Sequence, residues 1–191
     1  MRSSRRFGLH AIAALLAIAV AGCASTPNTY ANADPQADFA SYETYGFMPK
    51  LSTDGENYES LISNFLKVAV AQEFDRRGMT YAENPDVLVN FYVHTNEKIR
   101  TRNVPTTSAY YGWRDPFYDP WGGYHGYETR VDQYTEGTLN IDVVDAREKK
   151  LVWEGAVTGR VTDQAVRNLE ASIDKAVAAI FDGYPVAAGA Y

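Results

Sequence analysis

Cys23 is the only cysteine among the 191 residues, so no disulfide can brace this chain and its fold has to rest on a hydrophobic core. The residues in front of Cys23 account for its position. Arg2, Arg5 and Arg6 open the chain, an apolar run extends from Leu9 to Val20, and the small residues Ala21 and Gly22 lead into the thiol. A basic start, an apolar middle and a small-residue end are the three parts of a secretory signal peptide. The middle is too short for a membrane span, which needs about 20 apolar residues. Residues 1–22 are read as a cleaved signal and play no part in the mature fold.

The run Val20-Ala21-Gly22-Cys23 resembles the bacterial lipoprotein signal, whose box is a branched or leucine residue, two small residues and cysteine. The resemblance implies a diacylglyceryl group on Cys23, a membrane anchor and no other cofactor. Each buried methylene contributes about 0.8 kcal/mol; one acyl chain anchors only marginally, and the two or three implied here hold almost irreversibly. Ala24 and Ser25 follow the cysteine. An aspartate there favours retention in the inner membrane of Gram-negative cells, so the expected address is the periplasmic face of the outer membrane. With the thiol capped, the mature chain has neither a thiolate nucleophile nor a cysteine metal ligand.

Cleavage removes three of 18 basic residues and none of 24 acidic ones. The acidic body that remains repels nucleic acid and anionic lipid head groups. Its length fits one domain. Small and polar residues around Pro27 and Pro35 have no periodicity, and residues 23–37 read as the lipidated cysteine with a flexible tether. A single domain is expected over 38–186, with a tail at 187–191.

Within that domain Thr44 to Met48 has strand composition. Between Asn57 and Arg77, Leu61, Ile62, Phe65, Leu66, Ala69, Val70 and Phe74 recur at helical spacing, with Asp54 or Asn57 as a cap and Gly78 as the stop. Val87, Val89, Phe91 and Val93 alternate with Leu88, Asn90, Tyr92 and His94, which predicts a strand with one oily face. Leu139, Ile141 and Val143 repeat the pattern, and a polar run from Asp145 to Lys149 leads to Leu151, Val152 and Trp153, a hairpin. Thr162 or Asp163 can cap a closing helix through Leu169, Ile173, Val177 and Ile180 that ends at Gly183 and Pro185. The expected fold is an α+β two-layer sandwich in the order β-α-β-β-β-α. It comprises an antiparallel or mixed four-stranded sheet with two helices on one face.

Asp38-Phe39, Tyr42 and Thr44-Tyr45, then Arg77-Gly78 before Pro85 to Val89, Gly137 to Asp145, Leu151 to Gly155 and a final helix near Tyr184-Pro185 follow one another in order. Together these blocks resemble bacterial lipoproteins of the domain-of-unknown-function family 4136, over nearly all of the mature chain. The resemblance implies the same sandwich and no catalytic residue.

The segment from Ile99 to Arg130 is longer than a compact turn between the second and third strands needs. It carries Tyr110, Tyr111, Trp113, Phe117, Tyr118, Trp121, Tyr124 and Tyr127 among glycines and Asp-Pro steps. Flat apolar faces with polar edges suit a protein partner, a glycan or a bilayer interface, and these eight aromatics are the candidate partner-binding residues. They equally suit folding back on the sheet or lengthening the hairpin. His94 and His125 stand apart from any metal-ligand spacing, and Asp115 and Asp119 precede prolines in turn chemistry. Glu136 and Asp142 fall on one strand face as solvated carboxylates rather than as a glycosidase pair.

A non-catalytic envelope lipoprotein with a binding or structural role is the reading these features favour. Its partner is an envelope protein or peptidoglycan, and the alternative is a glycan-binding or cell-wall-active enzyme built on the aromatic segment. Globomycin sensitivity and Cys23→Ser are jointly expected to abolish the mature lipidated form, checked by intact-mass spectrometry of membrane-extracted protein.

Overall fold

The alternation that starts at Val87 belongs to a strand that, with its equally long hairpin partner, outruns the rest of the sheet. The computed structural model describes residues 28–106 and 126–189. In chain order these form β1 (Asn28–Ala33), a 3-10 turn (Phe39–Ser41), β2 (Thr44–Phe47), α1 (Leu61–Asp75), β3 (Thr80–Tyr81) and β4 (Val87–Thr106). There follow β5 (Gly126–Asp145), β6 (Lys150–Val161), α2 (Asp163–Arg167) and α3 (Leu169–Phe181). One mixed sheet runs β1-β6-β5-β4-β2-β3. β4, β5 and β6 are an antiparallel meander, β1 adds antiparallel to β6, and β2 lies parallel to both β4 and β3.

The expectation of four strands and two helices in the order β-α-β-β-β-α is overturned: among the described residues the sheet has six strands and three α-helices accompany it. β1 lies inside the stretch read as a tether. Its residues are small or polar and mostly exposed, and its order comes from pairing with β6, Asn28 opposite Thr158 through Ala33 opposite Trp153. β3 is two residues long, too short for any period. The closing helix is broken at Asn168, whose backbone is non-helical (φ −118°, ψ 53°). Thr162 caps the first piece by accepting from the Ala165 N–H at 3.1 Å. α1 starts at Leu61, capped by Ser60, rather than near Asn57.

The segment read as an insertion over 99–130 is strand at both of its ends, over 99–106 and 126–130, and 107–125 lie outside the described residues. β4 and β5 pair without a break from Val87 opposite Asp145 to Thr106 opposite Gly126. β6 accompanies β5 only from Thr135 onward. The last nine rows of the hairpin, Lys98 to Thr106 against Gly126 to Tyr134, therefore extend as a ribbon roughly 30 Å long at about 3.3 Å per residue.

The core lies between one sheet face and α1 with α3. Val87, Val89 and Phe91 of β4, Ile141 and Val143 of β5, and Trp153 of β6 are buried with Leu66, Val70 and Phe74 of α1. Val177, Ile180 and Phe181 of α3 complete it. Burying each such side chain contributes about 1.5–3 kcal/mol. Gly155 lets α3 approach the sheet: a Cβ there would stand 2.5 Å from Ile180 Cγ2 and 2.6 Å from the Trp153 ring.

Arg77 closes this core. It is 5% exposed, and its guanidinium donates to Glu73 Oε2 at 2.7 Å, the Glu73 carbonyl at 2.8 Å, the Phe181 carbonyl at 2.8 Å and the Val186 carbonyl at 2.9 Å. It also lies 5.2 Å from the Phe181 ring centroid. The end of α1, the end of α3 and the chain beyond are joined through this one side chain. Gly78, at φ 76°, follows it and ends α1 in the left-handed conformation. Arg77→Ala leaves the Glu73 carboxylate with only the exposed Arg76 guanidinium, 2.6 Å from its Oε1, and takes the donor from the Phe181 and Val186 carbonyls; it is expected to cost about 3 kcal/mol, measured by urea unfolding.

Candidate functional site

The sheet has two unlike ends. At one, where β4 begins and β5 turns into β6, lies a polar basin of about 400 Å³. Asp86 Oδ2 accepts from the Glu43 and Thr44 N–H groups and from the Thr44 hydroxyl (2.8 Å), while its Oδ1 accepts from Arg147 Nη2 at 2.9 Å. Asp145 accepts from the Arg147 and Glu148 N–H groups, both at 2.8 Å, and from the Tyr42 hydroxyl at 3.0 Å. Asp34 pairs with Lys150. The hydrogen bond from Thr44 to Asp86, and that from the Glu148 N–H to Asp145, hold these two carboxyls below the usual carboxylate range. Burial, with the Asp145 charge beside it, pushes the Tyr42 hydroxyl up to about 12. Through these contacts the basin acts as a clasp that fixes β2 and the β5–β6 turn to β4.

At the opposite end, where the ribbon leaves the body, an apolar groove of about 350 Å³ opens between sheet and helices. Val93, Leu139 and Val157 of the sheet face Ile62 of α1, Val166 of α2 and Leu169 of α3 across it. Val93 is 45% exposed and Val166 60% exposed. Arg160 and Lys175 also line the groove, and Arg160 stacks on the Tyr134 ring at 4.1 Å. Such a lining can shelter an apolar ligand or side chain and offers little to a polar reaction.

The ribbon continues from this end. Its two faces differ: Ile99, Thr101, Asn103, Thr129, Val131 and Gln133 share one, and Lys98, Arg100, Arg102, Glu128, Arg130 and Asp132 the other. Side chains from Tyr92 to Val104 are exposed on both faces.

Cys23, with Val20, Ala21 and Gly22, lies outside the described residues, as do Tyr110, Tyr111, Trp113, Phe117, Tyr118, Trp121 and Tyr124. Tyr127 stands in β5, opposite Pro105 at the far end of the ribbon. His94 is exposed, 3.1 Å from Asn96 Oδ1. Glu136 and Asp142 are six residues apart on one strand, about 20 Å, twice the span a glycosidase pair allows. Asp142 sits across from Glu154, and burial with that like charge raises its carboxyl. Among the described residues there is no cluster of three metal-ligating side chains, and no helix is long and apolar enough to cross a membrane.

Sequence reasoning missed the groove and the ribbon's length. Val93 was legible as the end of an oily face, but the sequence pattern does not tell an uncovered end from a covered one. A signal for the ribbon did exist in the β-branched residues Ile99, Thr101, Val104, Thr129 and Val131, which favour strands.

A family model described as a domain of unknown function, DUF4136, matches residues 29–186. No curated protein matches the sequence. Among solved structures, a PDZ domain protein from Parabacteroides distasonis has a TM-score of 0.52 at 12% identity, over 82% of this chain and 35% of that one. The present chain thus spans about a third of that protein. The PelC dodecamer from Paraburkholderia phytofirmans has a TM-score of 0.42 at 12% identity, over 81% of this chain and 97% of that one. The first likeness concerns the fold alone, and the second carries no argument.

The clasp predicts a direction for acid sensitivity. Asp86 and Asp145 hold protons less tightly folded than unfolded, so their stabilisation is present above the ordinary carboxylate pKa of about 4 and is lost as pH falls through that value and below. Urea unfolding at about pH 6 and about pH 3 is expected to show a smaller acid loss for Asp86→Asn than for the unaltered chain.

Proposed function

We propose that this chain, which belongs to the DUF4136 family, is a non-catalytic cell-envelope lipoprotein, anchored through acyl chains on Cys23 at the periplasmic face of the outer membrane. Its binding surface is the end of the sheet that carries the apolar groove and the ribbon. One observation carries the reading: Asn28, Thr158, Thr138 and His94 form a single row across the sheet. The start of β1, the mouth of the groove and the root of the ribbon therefore share an end. Cys23 is five residues before Asn28, a reach of at most about 17 Å. The anchor accordingly holds this end near the bilayer and leaves the polar clasp at the far end.

Exposed apolar side chains agree with a contact surface here. Leu61, Val166, Ile99 and Val131 are each at least 60% exposed, and apolar surface left open in this way marks an interaction site when it is contiguous. Glu136 and Asp142, by contrast, stand too far apart on one strand to act as a hydrolytic pair.

Photo-crosslinking in living cells tests the proposal. A photoreactive side chain at Ile99 or Val131 is expected to give adducts, and the same group at Glu148, beside the clasp, is expected to give none. Equal adducts from both ends would overturn the assignment of the surface. Cleavage of purified peptidoglycan by the mature protein would overturn the non-catalytic reading.

A further inference from the structure

The ribbon presents two bare strand edges. β2 reaches β4 only as far as Val89, so from Asn90 to Thr106 the outer edge of β4 has no strand neighbour among the described residues. β6 meets β5 only from Thr135, so the outer edge of β5 is equally bare from Gly126 to Tyr134. An isolated two-stranded ribbon is marginal in water, and unpaired edges are templates for a further strand.

Charge distinguishes the two edges. Over the bare rows Lys98, Arg100 and Arg102 stand on β4, while Glu128 and Asp132 stand on β5 with the single cation Arg130. Within one copy the opposite charges meet only loosely: Arg102 Nε is 3.6 Å from Asp132, and Lys98 Nζ is 3.6 Å from Glu136 at the root of the ribbon. Arg100 and Glu128 have no ion pair among the described residues. A basic edge and an acidic edge on opposite sides of one ribbon are complementary to each other across two molecules.

We propose that the ribbon's partner is a second copy of this chain, the basic β4 edge of one copy pairing with the acidic β5 edge of the next. The pairing continues the antiparallel meander, because β5 of one copy and β4 of the next then run in opposite directions as they do within a copy. It is head-to-tail, so each copy keeps one edge of each kind and copies add until the ring closes. The inference goes beyond membrane anchoring and stands on the ribbon whether or not Cys23 is acylated.

Sedimentation velocity of the mature protein, solubilised from membranes in detergent, tests it through charge exchange. The unaltered protein is expected to sediment as two or more copies and to fall apart as salt is raised. Lys98→Glu with Arg100→Glu and Arg102→Glu makes both edges acidic; Glu128→Lys with Asp132→Lys makes both basic. Each variant alone is expected to sediment as a single copy, and an equal mixture of the two is expected to regain the larger species, which an unfolded ribbon could not do. A chain carrying all five exchanges is expected to assemble like the unaltered protein. A single-copy unaltered protein, either variant assembling by itself, or a mixture that stays as single copies would each overturn the proposal.

Discussion

The Arg77 guanidinium holds the layers of this protein in register. It stands where α1 ends and answers a buried carboxylate, the last carbonyl of α3 and a carbonyl of the C-terminal segment at once. An ion pair this dry costs desolvation that good geometry only partly offsets, so its worth lies in specifying one arrangement of the helices. Because α3 is fixed there, its approach to the sheet at Gly155 and its packing on Trp153 follow. The opposite end of the helices has no comparable tie, and it is there that the apolar groove stays open.

Much of the fold was legible because a buried face leaves a period in the sequence. Val87, Val89 and Phe91 announce their strand through alternation, and Leu66, Val70 and Phe74 announce α1 through steps of three and four. Where no face is buried, no period is written. β1 is held mainly by backbone pairing with β6, so its polar, exposed residues pass for a linker. The ribbon is exposed on both sides and passes for an insertion. Arg77 was readable as a cation suited to a helix end, but its burial depends on Phe181 and Val186, more than a hundred residues away, which local pattern cannot supply.

The candidate surface was less legible than the fold, for the same reason. The aromatic cluster drew attention by composition, whereas the groove arises from what the helices fail to cover. Val93 and Val166 are ordinary valines in sequence, and only the sheet register places them beside the start of β1. The carboxylates show the reverse: Glu136 and Asp142 share a face, yet strand geometry keeps them far apart, and Asp142 acquires its raised carboxyl from Glu154 on the neighbouring strand.

Under the proposed acylation of Cys23, the shortness of its link to Asn28 limits how the molecule can stand on a bilayer. Thr106 lies twelve residues beyond the row of Asn28 along the same direction, about 40 Å, while the link spans at most about 17 Å. A ribbon with bare polar edges cannot enter hydrocarbon. On that anchoring the strands must tilt, roughly 60° or more from the membrane normal, so that the long hairpin grazes the lipid head groups and the domain reclines along the membrane instead of rising from it.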